Sequence, residues 1–337
     1  MSERHQTASM AVAFASQHKG NILSKHIGVV MDPLESISPK KDSTLAMMQA
    51  AQERGWKVSE IQLGGLSMQN SRLAIDYRVV SVRHDPENWF QVLSHETGFA
   101  QDFDVLLMRV DPPFNMDYVY ATYLLEFAQQ SGVYVANDPG SIRDCNEKLF
   151  ALQFPECTPP LIVSRNPDAI KAFHHEHEDI ILKPLDGMGG QSIFRLKEGD
   201  TNRNVIIETL TEGGRQIIMA QRYIPEIREG DTRILMINGQ PVPYGLARIP
   251  SAGETRGNLA AGGSGVGREL KARDRFICEQ VGPVLVEKGL NFVGLDVIGD
   301  YLTEINVTCP TCIRELNEQF SLDIAGDYMD FLAAEIG

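Results

Sequence analysis

Several scarcities narrow the possibilities before any motif is considered. The 337-residue chain has no run of about 18 apolar residues, so nothing in it reads as a membrane-spanning helix. Its five cysteines, Cys145, Cys157, Cys278, Cys309 and Cys312, are odd in number and scattered. That disfavours a disulfide-stapled secreted scaffold and fits a reducing, cytoplasmic setting. Basic residues are few, with 31 Lys and Arg against 45 Asp and Glu, a formal net charge of −14. Gripping nucleic acid or an anionic membrane needs a basic surface, so neither is expected as a partner. An anionic small molecule stays possible, because it feels only its local site. No Ser/His/Asp hydrolase signature, lone Gly-x-Gly-x-x-Gly or Walker A loop is present.

What is there is an ordinary globular composition, 43% hydrophobic and 23% charged, long enough for two domains. Residues 1–25 carry Arg4, Lys19 and Lys25 against Glu3 alone and lack a long apolar core. They read as a disordered extension or an early-placed start codon. Regular structure is expected to begin at His26. Strands at 26–31, 56–63, 104–108 and 133–136 alternate with helices at 42–54 and 118–130, which predicts a parallel α/β domain over 26–145. Arg109 and Asp111 follow the third strand, where ligands collect in such sheets. From 146 to 337 the pattern turns α+β, with antiparallel hairpins marked by Asn238-Gly239 and Gly299-Asp300.

Three constellations carry chemistry. Lys183 precedes a glycine turn, Gly187-Met-Gly189-Gly190. The ammonium supplies a point charge, and bare backbone lets N–H groups approach phosphate oxygens. A plain hairpin turn is the alternative. Asp296, Glu304 and Asn306 are oxygen donors inside apolar strands and suit Mg²⁺ bridging nucleotide phosphates. Glu304 and Asn306 share a strand face. Asp296 joins them if Gly299 to Tyr301 forms a three-residue loop, whereas a two-residue turn breaks that parity. A solvated edge hairpin is the alternative. Finally, residues 253–267 hold six glycines around Arg256 and Asn258, as a water-excluding lid or a passive linker would. Cys309-Pro-Thr-Cys312 and His174-His175-Glu-His177 lack the partners a zinc site needs.

Together these stretches resemble the bacterial glutathione synthetases of the ATP-grasp superfamily. The resemblance rests on Met108-Arg-Val-Asp-Pro-Pro-Phe114, Arg143-Asp-Cys-Asn-Glu-Lys-Leu-Phe150, Asp179 to Gly190, Glu254 to Gly263 and Leu302 to Thr308. It covers roughly 90% of the chain, counted from Ile27. It implies a parallel-sheet pre-ATP-grasp domain followed by a two-lobed ATP-grasp domain with antiparallel sheets and a glycine-rich lid near 250–267.

The resemblance also implies roles. ATP would be held by Lys148, Lys183, Gly187, Gly189, Gly190, Gln221, Tyr223, Ile224 and Asp231, the last facing the ribose. Two Mg²⁺ ions, with Mn²⁺ as a substitute, would sit on Asp296, Glu304 and Asn306. Arg233 and Arg248 would act at the γ-phosphate and reacting carboxylate. Arg109, Asp111, Arg256, Asn258 and Arg314 would seat γ-glutamylcysteine. The reaction implied joins that dipeptide to glycine through an acylphosphate, in a cytoplasmic homo-oligomer. Two residues depart from the family pattern: Ser264 stands where Arg is usual, and Cys309 where Ser is usual. The rival readings are another ATP-grasp ligase, D-alanine–D-alanine ligase-like or glutamate-adding, and a catalytically silent nucleotide-binding regulator. The Arg109 turn and Arg256 lid disfavour the first. The full set of acids with Arg248 disfavours the second.

Overall fold

The computed structural model describes residues 24–187, 190, 192–251 and 264–337. Gly189, the expected lid residues Arg256 and Asn258, and the leader through residue 23 lie outside the described residues.

The first sheet contains β1 (His26–Val30), β2 (Lys57–Ile61), β3 (Leu66–Gln69), β4 (Arg72–Val82), β5 (Phe90–Phe99), β6 (Val105–Met108) and β7 (Tyr134–Ala136). Strands β2, β1, β6 and β7 run parallel. β1 and β6 are buried along their whole length because helices cover both faces. Those helices are α1 (Ser43–Glu53), α2 (Met116–Gln130) and the short α3 (Pro139–Asp144). Asp42 caps α1 by accepting from Leu45 N at 2.5 Å, and Asn115 caps α2 by accepting from Tyr118 N at 3.0 Å.

Apolar periodicity gives no strand between Leu63 and Asp104, yet three lie there, joined antiparallel to the β2 edge. Along β5 exposed and half-buried residues alternate, with no buried face to leave an apolar rhythm.

The second sheet has the order β10-β9-β11-β8, from β8 (Leu161–Ser164), β9 (Ile180–Pro184), β10 (Phe194–Leu196) and β11 (Ile218–Arg222). Its helices are α4 (Pro167–His177) and α5 (Arg203–Leu210), which close a small core around Ile170, Leu182, Ile207 and Ile218. The third sheet has the order β14-β13-β12-β15-β16, from β12 (Asp231–Ile237), β13 (Gln240–Ile249), β14 (Ser264–Glu269), β15 (Phe292–Ile298) and β16 (Tyr301–Asn306). All its pairings are antiparallel. The β12–β13 turn is Asn238-Gly239, both at positive φ (46° and 73°), as a two-residue hairpin requires.

The remaining helices are α6 (Ala272–Glu287), α7 (Ile313–Phe320) and α8 (Ile324–Glu335). The last two return to the first sheet: Ile324, Tyr328, Met329 and Leu332 share one core with Leu45, Met47 and Met48 of α1. Among the described residues no helix is long and apolar enough to cross a membrane.

Candidate active site

The site is built on the inner strands of the third sheet. The β15–β16 turn has two residues, Gly299 and Asp300, because Ile298 pairs with Tyr301. By the parity argument this should throw Asp296 and Glu304 onto opposite faces. They pair directly all the same, because the register shifts after Val297–Leu302 and Thr303 is left over as a bulge. Thr303 Oγ1 donates to Asp296 O at 3.1 Å and pins the irregularity. Of the two possibilities left open the two-residue turn is the one that forms, and the bulge restores the pairing of the two acids.

Around Asp296 the cross-strand neighbours are cationic. Arg233 of β12 donates through Nε and Nη2 to Asp296 Oδ1 and Oδ2 at 2.5 and 2.9 Å. Arg248 of β13 reaches Asp296 Oδ2 at 2.9 Å and Asp231 Oδ2 at 2.5 Å. Asn306 Nδ2 lies 3.2 Å from Asp296 Oδ2. Asp231 Oδ1 is buried with no partner. Burial alone would raise Asp296, but the two guanidiniums outweigh it and hold its carboxyl well below the usual carboxylate range. Burial pushes Asp231 up to about 6 against the pull of Arg248.

The second cation pair comes from elsewhere. Lys183 at the end of β9 places Nζ 3.4 Å from Glu304 Oε1, and Lys148 Nζ lies 3.6 Å from the same oxygen. Lys148 also donates to Gly187 O at 3.0 Å, so the glycine turn and both lysines converge. These ammonium groups hold Glu304 below its ordinary value although burial opposes them. The Lys148 segment is stitched to the acidic strand, since Ile305 N donates to Glu147 O at 2.8 Å.

Glu147 is a residue that motif reading missed. Its carboxylate contacts Lys148 Nζ, and burial followed by the charge of Glu304 raises it to about 7. Its only sequence signal is an acid next to a phosphate-type lysine. Asn137 was missed for a different reason, because its partners are distant in sequence. Its Nδ2 donates to Phe292 O at 2.9 Å and Val307 O at 2.8 Å, and its Oδ1 accepts from Phe292 N at 2.8 Å. It therefore fastens the outer ends of β15 and β16 to the first sheet.

Gln221, next to the end of β11, has its Oε1 buried and unpartnered. Tyr223 and Ile224 follow, with the Arg195 guanidinium 3.4 Å from the Tyr223 ring centre. Gly190 adopts φ +77°, which favours glycine.

Arg109 follows β6 of the first sheet. It is buried, donates through Nε to Thr44 Oγ1 at 3.2 Å and through Nη2 to Pro310 O at 2.9 Å, and Cys309 Sγ donates to its backbone O at 3.3 Å. A Cβ on Gly294 would lie 2.8 Å from Arg233 Cδ and 2.9 Å from Pro310 Cβ. Arg233, Gly294, Pro310 and Arg109 are therefore in contact as a chain, joining the two regions. Asp111 is exposed, its N–H bonded to Asp32 Oδ2 at 2.8 Å. Arg314 is turned onto α1, donating to Asp42 O and Gln49 Oε1, both at 2.9 Å, and is not drawn into the acid–arginine cluster.

The donor set fits Mg²⁺. Asp296, Glu304 and Asn306 offer hard oxygens on adjacent strands, and an orphaned carboxylate oxygen of Asp231 lies in the same cluster. No group of three His, Cys, Asp or Glu forms a ready-made cage among the described residues.

Comparison with known proteins gives the same picture. The family model described as prokaryotic glutathione synthetase, N-terminal domain, matches residues 26–143, and that for the prokaryotic glutathione synthetase ATP-grasp domain matches 147–321. The chain is 58% identical over 308 residues to glutathione synthetase of Pseudomonas putida, covering 91% of this chain and 97% of that protein. It is 56% identical over 314 residues to that of Pseudomonas aeruginosa, covering 93% and 99%, and 55% identical over 304 residues to that of Vibrio cholerae, covering 90% and 96%. Among solved structures, D-cycloserine synthetase DcsG superposes with a TM-score of 0.64 at 12% identity, covering 93% of this chain and all of that one. The ATP-grasp ligase PsnB, complexed with minimal precursor, Mg and ADP, gives 0.59 at 16%, covering 92% and 98%. Those two share the fold, while the two family models together with relatives above 50% identity settle the lineage: the chain belongs to the prokaryotic glutathione synthetase family.

Proposed function

We propose that this chain joins γ-L-glutamyl-L-cysteine to glycine with cleavage of ATP, giving glutathione, ADP and phosphate. The observation that carries the reading is the convergence of Lys148, Lys183, Arg233 and Arg248 on the Asp296–Glu304 pair, with Arg109 tied into the same wall through Pro310. The substrate part is 26–145 and the ATP-grasp part 146–337.

A carboxylate is a poor electrophile, so the dipeptide's cysteinyl carboxylate is first phosphorylated and glycine's amine then displaces phosphate from the acylphosphate. Lys148 and Lys183 hold the transferring phosphates, exchanging Glu304 for phosphate oxygens. Gln221 Oε1 offers a buried acceptor to the adenine amine beside Tyr223 and Ile224. Asp231 serves the nucleotide, and Gly187, Gly189 and Gly190 let backbone approach its phosphates. Asp296, Glu304 and Asn306 would hold two Mg²⁺ ions, or Mn²⁺ in their place, which neutralise charge on the transferring phosphoryl group. Arg233 and Arg248 stabilise the negative charge that develops at the reacting oxygens. Arg109, Asp111 and Arg314 seat the dipeptide, with Arg256 and Asn258 closing over the intermediate to exclude water. No side-chain nucleophile is needed. Positioning does most of the remaining work. The five free thiols and the absence of a membrane-spanning helix among the described residues support a cytoplasmic enzyme, and a homo-oligomer is the expected assembly.

The test is phosphate release from Mg-ATP with γ-glutamylcysteine and glycine, each omitted in turn. Release that requires both substrates is the expected result. Release with D-alanine alone, or none under any condition, overturns the reading.

A further inference from the structure

Tyr223 is held by residues from three chain segments that the β10-β9-β11 order brings side by side. Asp179 comes just before β9, Arg195 lies in β10 and Tyr223 comes just after β11. Tyr223 N donates to Asp179 O at 2.9 Å. The Asp179 carboxylate in turn takes the Arg195 guanidinium in a two-pronged grip, Nε to Oδ1 at 2.9 Å and Nη2 to Oδ2 at 2.6 Å. That guanidinium lies 3.4 Å from the centre of the Tyr223 ring. One acid therefore holds both the backbone and the ring of Tyr223, the first directly and the second through Arg195.

We propose that Arg195 and Asp179 are positioning residues for the nucleotide base, acting through Tyr223 to fix the edge of the adenine pocket. Three observations carry this. First, stability does not account for the arrangement. The Arg195 and Asp179 side chains are 21% and 33% exposed, and ion pairs this open to water contribute little to folding. What a fork-to-fork pair supplies in such a place is direction, since a guanidinium gripped at two points is held flat on an aromatic face. Second, among the described residues the two side chains bond only each other and the Tyr223 ring, so their grip serves that ring alone. Third, the segment they brace carries an unmet acceptor. Gln221 Oε1, two residues before Tyr223, is buried without a partner, and Ile224, the residue after it, is buried too. Between them, Arg222 Nη2 donates to Tyr301 OH of the third sheet at 2.8 Å and steadies the segment from the other side. A buried acceptor reads a ligand only if its backbone stays in place, because a hydrogen bond weakens steeply as its distance and angle drift.

Resting on the ATP-binding reading above, these roles fall to two residues outside the site already described. The experiment is steady-state kinetics of the full chain with Mg-ATP, γ-glutamylcysteine and glycine varied in turn, alongside calorimetric titration with Mg-ATP and melting curves. Arg195→Met should raise the KM and the Kd for ATP about tenfold. Its kcat and the other two KM values should stay within about twofold, and its Tm within about 2 °C, as loss of an exposed ion pair allows. Arg195→Lys should not rescue ATP binding, because an ammonium neither forks nor lies flat. Asp179→Asn should fall between the wild type and Arg195→Met, since it keeps one side-chain acceptor and the backbone carbonyl. An unchanged KM for ATP in Arg195→Met, or rescue by lysine, overturns the proposal. So does a rise shared by all three KM values or a loss confined to kcat, either of which marks a general structural role. A wild type that does not bind Mg-ATP overturns the ATP-binding reading itself. Should Arg195→Met fail to fold, Asp179→Asn decides by the same split between the KM for ATP and the other constants.

Discussion

Two buried charge clusters in this molecule look alike at first and differ in what they leave undone. In the first sheet, Arg78 pairs with Glu60 and Glu35, and the fully buried Glu60 also accepts from Leu34 N at 3.2 Å and Gln62 Nε2 at 3.4 Å. Both carboxylates there bond the one guanidinium, and neither leaves a buried oxygen without a partner. In the third sheet, four acids (Glu147, Asp231, Asp296, Glu304) meet four cations (Lys148, Lys183, Arg233, Arg248), yet Asp231 Oδ1 has no partner and one oxygen of Glu304 is shared by two lysines. A hollow of about 610 Å³ lies beside the first cluster, lined by Glu60, Asp76, Arg78 and Glu96. A hollow alone therefore does not mark a ligand site. What separates them is unfinished bonding: a completed ion pair serves the fold, whereas an oversupplied one can exchange partners with a ligand.

That contrast can be broken most sharply at Glu304. Glu304→Gln should lower turnover by about 10³-fold or more, since both the lysine clamp and a metal-type ligand are lost, with little change in urea midpoint. Near-normal phosphate release would remove Glu304 from the site. Arg248→Lys keeps the charge but loses the fork that spans Asp231 and Asp296, and should cost about 10²-fold in kcat. Arg78→Met should do the reverse, costing about 3 kcal/mol or more in urea unfolding by stranding Glu60, with kcat per folded chain unchanged. A kcat loss there would erase the distinction between the clusters.

The smallest expected effect is a pH dependence at His26, which heads β1, stacks on Phe103 at 4.1 Å and bonds Ser59 Oγ and Asp102 O. Burial lowers it below its ordinary 6.5. The unfolded chain therefore takes up a proton that the folded one refuses as pH falls below 6.5. Stability present at neutral pH should decline through that window. Melting curves of His26→Gln should flatten this slope; an unchanged slope would place its origin elsewhere.

Much of this site was legible because its residues come in short, chemically pointed strings. The lysine before the glycine turn and the acids within apolar strands needed only local spacing to be found. The direct pairing of Asp296 with Glu304 was legible only conditionally, because a bulge at Thr303 has no signature of its own in the sequence. Strands β3 and β5 escaped because they have almost no buried face, and β4 because its buried residues fall on both faces, which blurs a period of two. Asn137 and the Arg109–Pro310–Gly294–Arg233 chain depend on contacts between residues far apart in sequence, which spacing cannot encode.

Because α8 folds back onto α1, the Lys25 ammonium donates to Gly337 O at 2.5 Å and Ile336 O at 3.1 Å. Residues 25 and 337 are separated by no more than a side chain, so a few glycines could join them without displacing either. Over residues 25–337 the fold in that sense nearly closes on itself. A circular permutant of residues 25–337 opened instead at the exposed Glu212-Gly213 turn should fold to the same architecture.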